Sequence, residues 1–165
     1  MPRGFSVLKA QPRDAREIAV LEGLLSRGQQ ALKSRALARK FPLAKNLREV
    51  QERETRALLR SRKAVVFKAV DSANCKIIGF LAGDERLHRP RFAQRRYAYL
   101  YALFVLPEWR KRGVARALFN EFTFWVKRRK LSEVSLKVCS RNAAGRAFYE
   151  SVGARCFWLE MKKFL

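Results

Sequence analysis

The sequence predicts an α/β protein, a mixed sheet with helices on both faces. Three observations lead there. Apolar residues make up 48% of the 165 residues, enough for one buried core. Strand-like and helix-like runs follow one another in the order β-α-α-β-β-β-α-β-α-β. The antiparallel opening gives way to β-α-β units, whose crossovers require a mixed sheet. No internal repeat, low-complexity linker or composition break divides the chain, so residues 1–165 read as a single domain.

Phe5–Lys9 fits a short strand. A helix follows, started by Asp14, with Ile18, Leu21, Leu24 and Leu25 on one face. Residues 31–44 are polar and basic, and Pro42 breaks any pattern there. Asn46-Leu47-Arg48-Glu49 has the spacing of a capping box and opens a second helix through about Arg60. Ala64–Asp71 (AVVFKAVD) and Cys75–Ala82 (CKIIGFLA) flank the turn residues Asp71–Asn74 and read as a hairpin. A basic loop, Asp84–Arg96, leads to a longer strand, Tyr97–Val105 (YAYLYALFV). Gly113–Arg129 carries Leu118, Phe122, Trp125 and Val126 on one helical stripe. Glu133–Cys139 is a strand, Asn142–Ser151 a short helix and Ala154–Lys162 a last strand.

The charge is unusual: 37 Lys and Arg against 14 Asp and Glu, a formal +23. Residues 1–63 hold 16 positive residues against 6 negative, residues 64–100 hold 7 against 3, and residues 101–165 hold 14 against 5. No single tail accounts for the excess. Such a surface attracts nucleic acid, ribosomes, anionic membranes or acidic proteins; general solubility is the competing explanation. No apolar run is long enough to span a bilayer, and MPRGFSVLKAQPRDARE lacks an apolar signal core. Cys75, Cys139 and Cys156 have no CxxC spacing, so reduced, core-packed thiols in a cytoplasmic setting are expected. With one histidine, His88, no multi-histidine metal site is possible, and no metal is expected.

The stretch Pro107-Glu108-Trp109-Arg110-Lys111-Arg112-Gly113-Val114-Ala115-Arg116 stands between a strand and an apolar helix. Helix N-termini leave backbone N–H groups unpaired and partly positive, so an anion binds well there. Gly113 lets a ligand approach the backbone, and Arg110, Lys111 and Arg112 add charged donors. A diphosphate cradle and a solvated basic loop both fit this stretch alone.

Leu103 to Leu118 (LFVLPEWRKRGVARAL) resembles the acetyl-CoA-binding motif of the GNAT N-acetyltransferase superfamily: strand, Val-x-Pro-x-x-(Arg/Gln)-x-x-Gly-x-(Gly/Ala), helix. Asn142 to Ala154 (NAAGRAFYESVGA) is similar to the family's Asn-x-x-Ala…(Phe/Leu)-Tyr-x-x-x-Gly-Phe segment, with Ala154 in place of Phe. The likeness is strong over residues 97–160 and topological over 1–96. It implies a splayed central sheet and direct transfer of acetyl from acetyl-CoA to a primary amine, such as one on a protein or an RNA-associated acceptor. By this resemblance, backbone groups of Leu103, Phe104 and Val105 bind the pantetheine arm and thioester oxygen. Arg110, Lys111, Arg112, Gly113, Val114 and Ala115 take the pyrophosphate, and Arg116 either reaches the 3′-phosphate or faces water. Asn142 bonds the pantetheine arm, and Tyr149 is the general acid for the CoA thiolate. These two lie seven residues apart, two helical turns, on one face.

The acceptor side departs from the family pattern. Some relatives carry an acidic residue on the central strands, where this chain has Tyr101, Ala102 and Lys137. Lys137 repels a cationic amine. A relayed water, a carboxylate or imidazole from Asp84, Glu85 or His88, or a site that lacks ordinary amine activity or favours an acidic substrate are the remaining readings. Tyr97, Tyr99 and Tyr101 share one strand face and line either a cleft or ordinary packing, with Tyr101 the best cleft candidate. The alternative function is a nucleic-acid- or ribosome-binding module on the same scaffold, with weak or no acetylation.

Overall fold

The computed structural model describes residues 4–89, 93, 96–158, 160–161 and 163. The elements are β1 (Phe5–Lys9), α1 (Ala15–Ala31), α2 (Arg35–Lys40), α3 (Leu47–Arg60), β2 (Ala64–Asp71), β3 (Ile77–Leu87), β4 (Arg96–Val105), α4 (Val114–Arg128), β5 (Val134–Leu136) and α5 (Ala143–Ser151). The five strands form one sheet in chain order. β1 to β4 are antiparallel, and β4 and β5 are parallel, so the sheet is mixed as expected.

Each face of the sheet carries its own apolar layer. Leu81, Leu100, Val105, Leu118, Phe122 and Val126 pack where α4 covers the sheet. Ile18, Leu21, Val66, Phe80 and Phe104 pack on the opposite face beneath α1 and α3. Phe80 and Phe122 are fully buried, each worth about 2–3 kcal/mol of transfer free energy. Between α1 and α3, Thr55 donates to the Glu22 carboxylate (3.0 Å), and Gln51 donates to Ser26 (2.9 Å). Burial pushes the Glu22 carboxyl up to about 7, against the opposing pull of the Thr55 hydrogen bond.

Several expectations are corrected. Residues 35–40 form a helix, capped by Ser34, whose Oγ accepts from Leu37 N–H (3.3 Å). Gln30 closes its far end by donating to the carbonyls of Ala38 and Phe41. The capping box at Asn46 does not form, because Asn46 (φ −99°, ψ 35°) lacks the extended conformation that aims a cap side chain back at the helix. β3 starts at Ile77 and runs to Leu87, absorbing the start of the expected basic loop. Residues 90–92 and 94–95 of that loop lie outside the described residues.

The strand expected over Glu133–Cys139 is only Val134–Leu136. The strand expected over Ala154–Lys162 does not form at residues 154–158, 160 or 161, and residues 159 and 162 lie outside the described residues. With β5 three residues long, that segment has little edge to pair with, and Phe157, Trp158 and Met161 are exposed. Leu24 is exposed rather than packed. All three cysteines are free and exposed, not core residues. Among the described residues, no helix is long and apolar enough to cross a membrane.

Candidate active site

The central feature is a divergence of β4 from β5. The two pair only at Ala98↔Val134, Tyr99↔Ser135 and Leu100↔Leu136, while β4 continues to Val105. Ala98 N–H donates to the Glu133 carbonyl, so the backbone groups of even-numbered residues face β5 there. Opposite β3, the register moves from Gly83↔Leu100 to Ala82↔Ala102, leaving Tyr101 as the extra residue of a β-bulge. Past the bulge, Leu106 N–H donates to the Ile78 carbonyl. Antiparallel alternation then turns the backbone groups of Ala102 and Phe104 toward β3, and those of Leu103 and Val105 toward the gap beside β5. Of the three expected backbone donors, Phe104 therefore points the other way.

The loop after β4 is fixed from both ends. Arg110 Nε donates to the Val105 carbonyl (3.1 Å), and the Arg112 guanidinium lies over the Trp109 ring (5.3 Å). Lys111 and Gly113 both take left-handed backbone conformations (φ 59° and 83°). Gly113 occupies the N-cap of α4 with no side chain to satisfy the first N–H groups, and a Cβ there would meet nothing within 4 Å. The helix start is thus open to an anion, beside exposed Arg110, Lys111 and Arg112. Val114 is buried beneath it and Ala115 partly so. Arg116 Nη2 donates to Ser151 Oγ (3.1 Å), tying α4 to α5.

Asn142 caps α5, its Oδ1 accepting from Gly145 N–H (2.9 Å), which leaves its amide NH2 for a ligand. Tyr149 packs with Leu103, Ala115, Phe148 and Val152 against the α4-side core. Burial pushes its phenol up to about 12, so it is protonated at neutral pH.

On the other face, Tyr101 donates its hydroxyl proton to Asp84 Oδ2. Arg86 Nε donates to Asp84 Oδ1 (3.1 Å), and its guanidinium lies 3.8 Å from the Tyr99 ring centre and 4.8 Å from that of Tyr101. Burial holds the Tyr101 phenol above its ordinary value, and the Asp84 carboxylate adds to this. Among the other expected bases, Glu85 faces away and binds Arg96 (2.7 Å) and Arg129 (2.8 Å). His88 contacts Glu133 (3.0 Å) and stacks on Tyr97. Tyr97 is four strand residues, about 13 Å, from Tyr101. Lys137 pairs with Glu160 (2.6 Å), whose carboxylate holds the ammonium above its ordinary value. Arg86 was missed from sequence; the signal was its period-2 spacing from Asp84, which puts both on one face.

Residues 34–154 match the model of the Acetyltransferase (GNAT) family. A search of curated proteins gives no match. Among solved structures, a tetramutant of the BH1408 protein from Bacillus halodurans superposes with a TM-score of 0.82 at 22% identity, covering 97% of this chain and 99% of that one. Ribosomal-protein-alanine N-acetyltransferase from Brucella melitensis biovar Abortus 2308 gives 0.64 at 21% identity, covering 98% and 99%. The aminoglycoside N-acetyltransferase AAC(6′)-Iy in complex with CoA gives 0.73 at 16% identity, covering 99% of each. At these identities the likeness concerns the fold.

Proposed function

This chain belongs to the acetyltransferase (GNAT) family and is an N-acetyltransferase, and on that premise we propose that it moves acetyl directly from acetyl-CoA to a primary amine. The observation that carries this reading is the gap between β4 and β5, which ends on the open N-terminus of α4. Acetyl-CoA supplies the activated acetyl group. Leu103 and Val105 N–H groups face the gap and suit the charge that develops on a carbonyl oxygen. Gly113 to Ala115 and the flanking Arg110, Lys111 and Arg112 suit a diphosphate. The Asn142 amide suits the carbonyls of an extended arm, and protonated Tyr149 suits a leaving thiolate. The acceptor amine loses its proton to water, since a neutral fraction exists below its pKa.

Three exposed free thiols support a reducing, cytoplasmic setting. Every Lys and Arg from Arg35 to Lys63 is exposed, which favours recruitment to an acceptor on nucleic acid or a ribosome. The test combines acetyl-CoA calorimetry with thiol release from acetyl-CoA in the presence of neamine, a lysine peptide and an alanine-leading peptide amide. Acetyl-CoA binding with amine-dependent release is expected; absence of acetyl-CoA binding overturns the proposal. RNA binding that does not weaken with salt would remove the recruitment reading.

A further inference from the structure

The acceptor side contains a carboxylate, Asp84, beside two aromatic faces, Tyr99 and Tyr101, at the point where β4 leaves β5. A carboxylate with aromatic faces is a cation site. Here a cation already fills it: Arg86 sits over both rings and ion-pairs with Asp84. Lys137, on the neighbouring segment, is paired with Glu160. We propose that Asp84, Tyr99 and Tyr101 form the acceptor site for a primary amine carried as its ammonium, and that Arg86 is a tethered competitor the amine displaces. This rests on the acetyltransferase reading above.

The site remains neutral when one cation replaces another, so exchange avoids leaving Asp84 unpaired. Tyr101 is placed for this by the bulge, which removes it from the ladder while keeping its hydroxyl on Asp84. An Arg86 that occupies the site about nine-tenths of the time weakens a competing amine about ten-fold.

The experiment titrates n-butylammonium into the unaltered protein, Arg86→Gln, Arg86→Ala and Asp84→Asn/Arg86→Gln, following tyrosine ring resonances, with CoA affinity measured in parallel. The expected result is about ten-fold tighter amine binding in both single variants and loss of that gain in the double variant, with CoA affinity unchanged. Amine binding that is unchanged or weaker in both folded single variants overturns the proposal. Failure of the unaltered protein to bind CoA instead overturns the acetyltransferase reading.

Discussion

Gly113 separates backbone strain from anion recognition. Its φ of 83° costs a residue with a Cβ about 1–2 kcal/mol, and that Cβ would meet nothing within 4 Å. Gly113→Ala and Gly113→Glu therefore share one stability cost, about 2–8 °C in Tm for a chain of this size. Only the glutamate adds charge. A carboxylate about 6 Å from one phosphate charge, at an effective dielectric near 20, repels it by roughly 3 kcal/mol, about 100-fold in affinity. Calorimetry with CoA should show near-normal binding for Gly113→Ala and about 100-fold weaker binding for Gly113→Glu. Equal weakening in the two variants would refute the cradle.

Three further outcomes are expected. A Cβ on Gly83 would lie 2.6 Å from the Phe122 ring and 2.7 Å from the Tyr99 carbonyl, so Gly83→Ala should lose about 1–3 kcal/mol in thermal or urea unfolding; an unchanged midpoint counts against this packing. Glu22 has a folded value raised from 4.5 to about 7, so its stabilising effect is whole below about pH 4.5 and gone above about pH 7. Glu22→Gln should flatten that decline by roughly 3 kcal/mol, and parent and variant urea midpoints that fall equally between about pH 5 and about pH 8 would contradict it. Tyr149→Phe should lower kcat about 100-fold with CoA affinity unchanged, and the parent's dependence on this phenol should be flat to about pH 10; an unaltered kcat removes its acid role.

The long, periodic elements were legible because their apolar spacing matches what the fold buries. β2 has its expected bounds, and Leu118, Phe122 and Val126 form the buried stripe of α4. The short α2 was not legible, since six residues give almost no period and its stability comes from Ser34 and the remote Gln30. The cysteines were misjudged because their type favours burial while Cys75 sits in a turn with φ 59°. In the site, the glycine and charge spacing around Gly113 could be read locally. The Asp84–Arg86–Tyr101 arrangement could not, because it depends on the register of β3 against β4 and on one bulge.

That bulge is a phase shift of one residue. Before it, Ala98 and Leu100 face the α4 layer; after it, Leu103 and Val105 do. A strand one residue shorter would keep all four in phase with the same layer. The hydrophobic core is therefore indifferent to the insertion. A chain lacking Tyr101 would keep that apolar layer in phase while losing the hydroxyl on Asp84.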